Sequence, residues 1–117
     1  LRLMERLPKP VIAAVHGHCY TGALEVALAA DFILAAESAK FGDTHAKWAL
    51  TPVWGMSQRL PRRVGVATAK RLMFTAEMIN AAEAFRIGLA EKVVPDAEFE
   101  SAIDALARQI LANSPFS

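Results

Sequence analysis

Three residues stand out for the chemistry that their types and spacing allow. Gly22 follows Thr21 at the start of a run, GALEVALAA, that reads as a helix, and Glu25 is the one charged residue in that run. A glycine at a helix start lets another group come close to the backbone, and the free N–H groups there attract negative charge. One such N–H aimed at a carbonyl oxygen is half of an oxyanion hole; an ordinary turn glycine is the competing reading. Glu25 falls in the first turn. A helix that is apolar all round is a buried helix, and a lone carboxylate buried in one costs several kcal/mol unless something compensates it. The helix dipole returns only about 0.3–1 kcal/mol. That imbalance makes Glu25 a functional candidate, against the plain alternative of a solvated first-turn acid. The third residue is His45, in Asp43-Thr44-His45. Histidine titrates near neutral pH and can serve as acid or base; a loop histidine bonded to backbone is the alternative.

Other groups carry weaker signals. Residues 43–55 show neither helical nor strand period but hold His45, Trp48 and Trp54, and binding residues concentrate on such loops. The two tryptophans, with Phe41, either line an apolar pocket or belong to the core. His16-x-His18 has strand-like spacing and would need a third ligand to hold a metal; no Cys or acid lies at a suitable spacing, so no metal is expected. Ser57 after Gly55-Met56 is half of a nucleophile elbow with no strand leading into it, which argues against a serine hydrolase. Lys47, Arg59, Arg62, Arg63, Lys70 and Arg71 form a run without acids. It reads as a phosphate or RNA contact, or more plainly as a solvated face or a subunit contact.

The elements that must position these residues follow from patterning. Val11 to Val15 and Phe32 to Ala36 are continuous apolar runs, as in strands buried on both faces of a parallel sheet. Between them lie a turn at Gly17 and the helix that Thr21 can cap, so residues 10–36 predict a strand–helix–strand unit with a right-handed crossover. Residues 1–7 read as a short amphipathic helix ended by Pro8-Lys9-Pro10. A short strand is expected at 39–42 and helices at 56–64 and 66–76. A further helix at 81–87 would be capped by Asn80 and stopped by Gly88. A strand follows at 91–94, then a last helix capped by Asp96, with Phe99, Ala102, Ile103, Leu106 and Ile110 as its stripe.

Composition bounds the class. The chain has 117 residues, 54% hydrophobic and 21% charged, with net charge +1, which fits one globular domain and excludes a disordered chain. No apolar run reaches the roughly 18–20 residues of a membrane span, and no signal peptide is visible. The single cysteine, Cys19, permits no internal disulfide and favours a reducing, cytoplasmic home. The chain opens at Leu1 in mid-helix and stops after a helix, so it reads as a fragment.

The stretch PKPVIAAVHGHCYTGALEVALAADFILAAESAKFGDTHAKWALTPVWGMSQRLPRRVG resembles the crotonase superfamily, the enoyl-CoA hydratases and isomerases. Ala81 to Pro95 (AAEAFRIGLAEKVVP) is similar to that family's A-x-x-A-x-x-x-G-L-V-x-x-V-x-P pattern, with Ala90 where valine is usual. The motifs occur in order across essentially the whole chain. The resemblance implies an α/β fold, a crotonase-like (ClpP/crotonase) spiral of ββα units. Residues 1–117 would be a partial core domain, its second half, with N-terminal strands and C-terminal helices missing. It implies trimers, often stacked into hexamers, an acyl-CoA substrate, and no cofactor beyond the coenzyme A that the substrate carries. No membrane is implied, and nucleic acid is disfavoured.

Carried over residue by residue, Gly22 matches the glycine whose N–H stabilises the thioester enolate, its companion donor lying upstream of Leu1. Glu25 matches one of two catalytic glutamates. Counting without a gap from Phe41-Gly42 to Gln58-Arg59-Leu60, His45 falls where hydratases carry the other glutamate, and Trp48 and Trp54 would lie near the acyl chain. The implied activity is addition of water to a 2-enoyl-CoA, as in fatty acid metabolism. It needs a base to activate water and an acid to protonate Cα, roles that fall to Glu25 and His45; an ion pair between the two would instead blunt both. Isomerisation or another crotonase-type reaction, and a non-catalytic acyl-CoA- or RNA-binding member, are the alternatives. A Clp-type serine protease is a third alternative, disfavoured because Thr21-Gly22-Ala23 holds no serine.

Overall fold

The computed structural model describes residues 9–20, 22–42 and 56–113. In chain order the elements are β1 (Ile12–Val15), β2 (His18–Tyr20), α1 (Gly22–Leu28), β3 (Phe32–Ala36) and β4 (Lys40–Gly42). There follow α2 (Met56–Val64), α3 (Val66–Thr75), β5 (Met78–Asn80), α4 (Ala81–Arg86), β6 (Lys92–Val94), a 3₁₀ turn (Asp96–Glu98) and α5 (Phe99–Leu111). The helix expected at 1–7, the cap at Thr21 and the loop of 43–55 lie outside the described residues.

The strands form two sheets of three, ordered β1-β3-β6 and β2-β4-β5. β1 runs parallel to β3 with Ile12 opposite Phe32, and β3 parallel to β6 with Leu34 opposite Lys92. β2 runs parallel to β4 with Cys19 opposite Phe41, and β4 antiparallel to β5 with Phe41 opposite Ile79. Each successive ββ pair therefore adds one strand to each sheet: β1 and β2 start them, β3 and β4 extend them. That is a spiral of ββα units. It corrects the simple strand–helix–strand unit read at residues 10–36, because β2 intervenes between β1 and α1.

The central strand behaves as its composition demands. Ile33, Leu34, Ala35 and Ala36 are 1% exposed or less, flanked by β1 and β6 and covered on both faces. β1 has the same kind of sequence and a different fate. Only Val15 is buried in it and Ala14 is exposed, because β1 has one partner strand among the described residues. The expectation of burial on both faces holds for β3 and fails for β1.

Two short strands escape the sequence pattern. β2 falls where the sequence predicts a turn, and β5 in the gap between the helices expected at 66–76 and 81–87. Both exist because β4 lies between them. Gly42 of β4 faces Met78 of β5, and a Cβ there would drive into the Met78 side chain and sit 3.2 Å from the Glu77 carbonyl oxygen. A glycine is what lets these two backbones pair.

Helix ends follow local chemistry in one case and tertiary chemistry in another. Asn80 caps α4 as expected, its Oδ1 accepting the Glu83 N–H at 2.8 Å. Asp96 does not cap α5. A 3₁₀ turn separates them, the capping position falls on Glu98, and no side-chain bond is made there. The Asp96 carboxylate instead accepts the Ser38 N–H at 3.1 Å, tying the 3₁₀ turn to the β3–β4 connection.

Candidate functional site

Two of the candidate residues lie on α1. Gly22 is its first residue and Glu25 lies in its first turn. Glu25 is 1% exposed and is the one buried charged residue among those described. That excludes the solvated first-turn acid. The helix is not buried all round, however. Leu24, Ala27 and Leu28 join Glu25 on the covered side, whereas Ala23 and Val26 face outward, Val26 at 41% exposure. An open groove of about 250 Å³ runs along that outer side, between it and His16, His18 and Cys19.

What holds α1 matters, because seven residues form too short a helix to be stable alone. Its exit is fixed twice. On one side Asp31 and Val11 bond reciprocally: the Val11 N–H donates to Asp31 Oδ2 at 2.7 Å and the Asp31 N–H donates to the Val11 carbonyl at 2.9 Å. On the other side Arg63, at the end of α2, donates from Nη2 to the Ala30 carbonyl at 2.7 Å and from Nη1 to Glu91 Oε1 at 2.6 Å. Glu91 then accepts the Ile33 N–H on Oε2 at 2.6 Å and returns its own N–H to the Ile33 carbonyl at 2.9 Å. Arg63 and Glu91 were not singled out as a pair from the sequence. Arg63 sat in a basic run where nothing distinguished it from Arg62.

The remaining candidates are placed as follows. His45, Trp48 and Trp54 lie outside the described residues. The Phe41 ring, offered as pocket lining or core, is core at 0% exposure. His16 rests against the Phe99 ring with centroids 5.7 Å apart, and His18 stacks on Tyr20 at 4.9 Å. Among the described residues no three metal-ligating side chains come together. Cys19 is buried in β2, and burial pushes its thiol up to about 11, which leaves it protonated and inert at neutral pH. The basic run is not one solvated face. Arg63 pairs with Glu91, and Arg71 pairs with Glu77 at 2.6 Å. A wider depression of about 620 Å³, bordered by Lys40, Phe85 and Lys92, contains none of the candidates.

A family model described as enoyl-CoA hydratase/isomerase matches residues 1–117. The chain belongs to the enoyl-CoA hydratase/isomerase family. Among its curated relatives, a crotonyl-CoA hydratase of Syntrophomonas wolfei is 49% identical over 111 residues, covering 95% of this chain and 43% of the relative. A short-chain-enoyl-CoA hydratase of Clostridium acetobutylicum is 44% identical over 114 residues, covering 97% of this chain and 44% of the relative. The crystal structure of an enoyl-CoA hydratase from Bacillus anthracis superposes with a TM-score of 0.95 at 45% identity, over 97% of this chain and 44% of that one. The chain thus spans less than half the length of these relatives. The spiral of two sheets is the crotonase fold, as the resemblance implied.

Proposed function

We propose that these residues belong to an acyl-CoA enzyme that adds water to a 2-enoyl-CoA. The observation that carries the proposal is a carboxyl group at 1% exposure in the first turn of a helix that begins with glycine. The identities of 49% and 44% to hydratases support it. In this reading residues 1–117 form part of a larger core domain. The Gly22 N–H would donate to the thioester oxygen as water attacks Cβ and the electron pair moves onto that oxygen. One of Glu25 and His45 would take the proton from water and the other would deliver a proton to Cα. Trp48 and Trp54 would flank the acyl chain. Coenzyme A enters as part of the substrate, and no resident cofactor or metal is invoked.

Assembly as a trimer or hexamer belongs to the same proposal. Phe74, Phe85 and Leu111, on three different helices, are 73%, 56% and 77% exposed, apolar surface that neighbouring subunits would cover. Residence in the cytoplasm is proposed from the single free thiol, Cys19. No helix among the described residues is long and apolar enough to cross a membrane. Nucleic acid is not proposed as a partner, since ion pairs within the chain already engage Arg63 and Arg71.

The test uses the complete protein and crotonyl-CoA, following loss of the conjugated thioester absorbance. Wild type is expected to turn over, and Glu25→Gln and His45→Ala each to lose about 10²–10⁴-fold in rate, the range for general acid–base groups. A wild type that binds CoA thioesters without hydrating them would overturn the proposal. So would a Glu25→Gln variant with full activity.

A further inference from the structure

We infer that Arg63 is a positioning residue: with Glu91 it sets the orientation of α1 and so the placement of the Glu25 carboxyl. This deepens the reading of Glu25 as an acid–base group and rests on it. α1 carries no basic residue in its last turn, so nothing in the helix itself answers the partial negative charge of its final carbonyls. The turn after it continues the helical course, with Ala29 and Ala30 donating to the Val26 and Ala27 carbonyls at 3.1 and 3.0 Å. Arg63 bonds the Ala30 carbonyl just past the helix end. Its other guanidinium arm holds Glu91, which in turn grips β3 at Ile33 through side chain and backbone. One planar fork therefore links α1, α2, β3 and the approach to β6.

Two features make this more than a surface ion pair. The Arg63 side chain is 15% exposed and Glu91 43%, so the ion pair itself is partly solvated, but the bond from Arg63 to the Ala30 carbonyl is half-buried and is screened less than a surface contact. The backbone of Arg63 is also held. Gly88, at φ +87°, lies so close that a Cβ there would sit 3.2 Å from the Arg63 carbonyl oxygen. The turn before Glu91 is thus packed on the residue that Glu91 pairs with. Releasing the fork removes one of the two ties at the exit of a seven-residue helix and leaves only the Asp31–Val11 pair, and a shift of about 1 Å in a reacting group can cost about 100-fold in rate.

The test measures kcat and KM for crotonyl-CoA hydration by the complete protein. The variants are Arg63→Ala, Arg63→Lys, Glu91→Gln and, as a control ion pair within α4, Arg86→Ala. Arg63→Ala is expected to lower kcat about 10- to 100-fold with KM within about two-fold. Lysine should restore only part of that, because an ammonium cannot span both acceptors. Arg86→Ala should change neither constant. In a Glu25→Gln background Arg63→Ala should cost less than about two-fold, because the group it positions is gone. Equal losses in both backgrounds, or a loss confined to KM, would overturn the inference. Glu91→Gln keeps an acceptor for Ile33 and supplies the same comparison if Arg63→Ala does not fold. Hydrogen exchange of the amides of residues 24–30 separates the two layers of the argument. Faster exchange in Arg63→Ala with an inert wild type would sink the functional reading and leave the fork standing; unchanged exchange would sink the fork itself.

Discussion

Two helices of this protein invert the usual relation between pattern and burial. α5 has thirteen residues and a regular apolar stripe, yet none of its residues is buried. α1 has seven residues, one charged, and four of its side chains, Leu24, Glu25, Ala27 and Leu28, are 5% exposed or less. The difference lies in what covers them. α1 packs against α2 and β2, whereas α5 touches little beyond the 3₁₀ turn before it and β3. α5 can propagate its own hydrogen bonds; α1 depends on its surroundings. The candidate chemistry sits on the helix that cannot hold itself, and its placement is set by residues distant in sequence.

The sharpest way to break that comparison is to cut the same methylenes from each helix. Leu24→Ala is expected to destabilise by about 2–5 kcal/mol, as for a leucine removed from a packed core. Leu106→Ala, on a half-buried stripe, is expected to cost about 1 kcal/mol or less by the area it covers. Urea unfolding of the two variants of the complete protein decides it. Equal costs would mean that the α5 stripe is covered by something beyond the described residues.

Backbone propensity gives the converse test, with a smaller effect. Ala105 is exposed in the middle of α5, where a helix must rely on its own bonds. Ala105→Gly is expected to cost about 1 kcal/mol, read as a drop in thermal midpoint. No measurable drop would show that α5 takes its stability from packing after all.

The same contrast explains what could be read from the sequence. β3 was legible because FILAA is a continuous apolar run, and that pattern is itself the consequence of burial on two faces. The Asn80 cap was legible because its partner is three residues away. Glu25 was conspicuous because its neighbours are apolar, and its burial follows from them. The tie from Asp96 to Ser38 spans 58 residues and that from Arg63 to Glu91 spans 28. No local pattern announces either. β2 and β5 have three residues each, fewer than two full periods of a strand, so their existence is decided by β4 and not by their own composition. The burial of Glu25 was thus legible at the level of residue type, and the scaffold that aims it was not.

The smallest expected effect concerns how α5 is moored, and it is a pH dependence. The hydrogen bonds from Ser38 to the Asp96 carboxylate hold its pKa below the ordinary value, helped by the charge of His16. A carboxyl group whose folded pKa is depressed adds stability at pH above its unfolded pKa, about 3.9. That stability is lost as pH falls through the folded value. The tie is therefore intact at neutral pH and weakens only below about pH 4. Asp96→Asn removes the titration while keeping an acceptor for Ser38. The variant should be slightly less stable than wild type at pH 7, and the gap should close as the pH is lowered through the folded value. The carboxylate is solvated and screened, so the gap should be small even where it is largest. A gap that widens on acidification would reverse the sign of the effect and show that Asp96 strains the folded chain. α5 would then owe its mooring to its packing on β3 and to the Phe99–His16 ring contact, and Phe99→Leu, not Asp96→Asn, would be the substitution that loosens it.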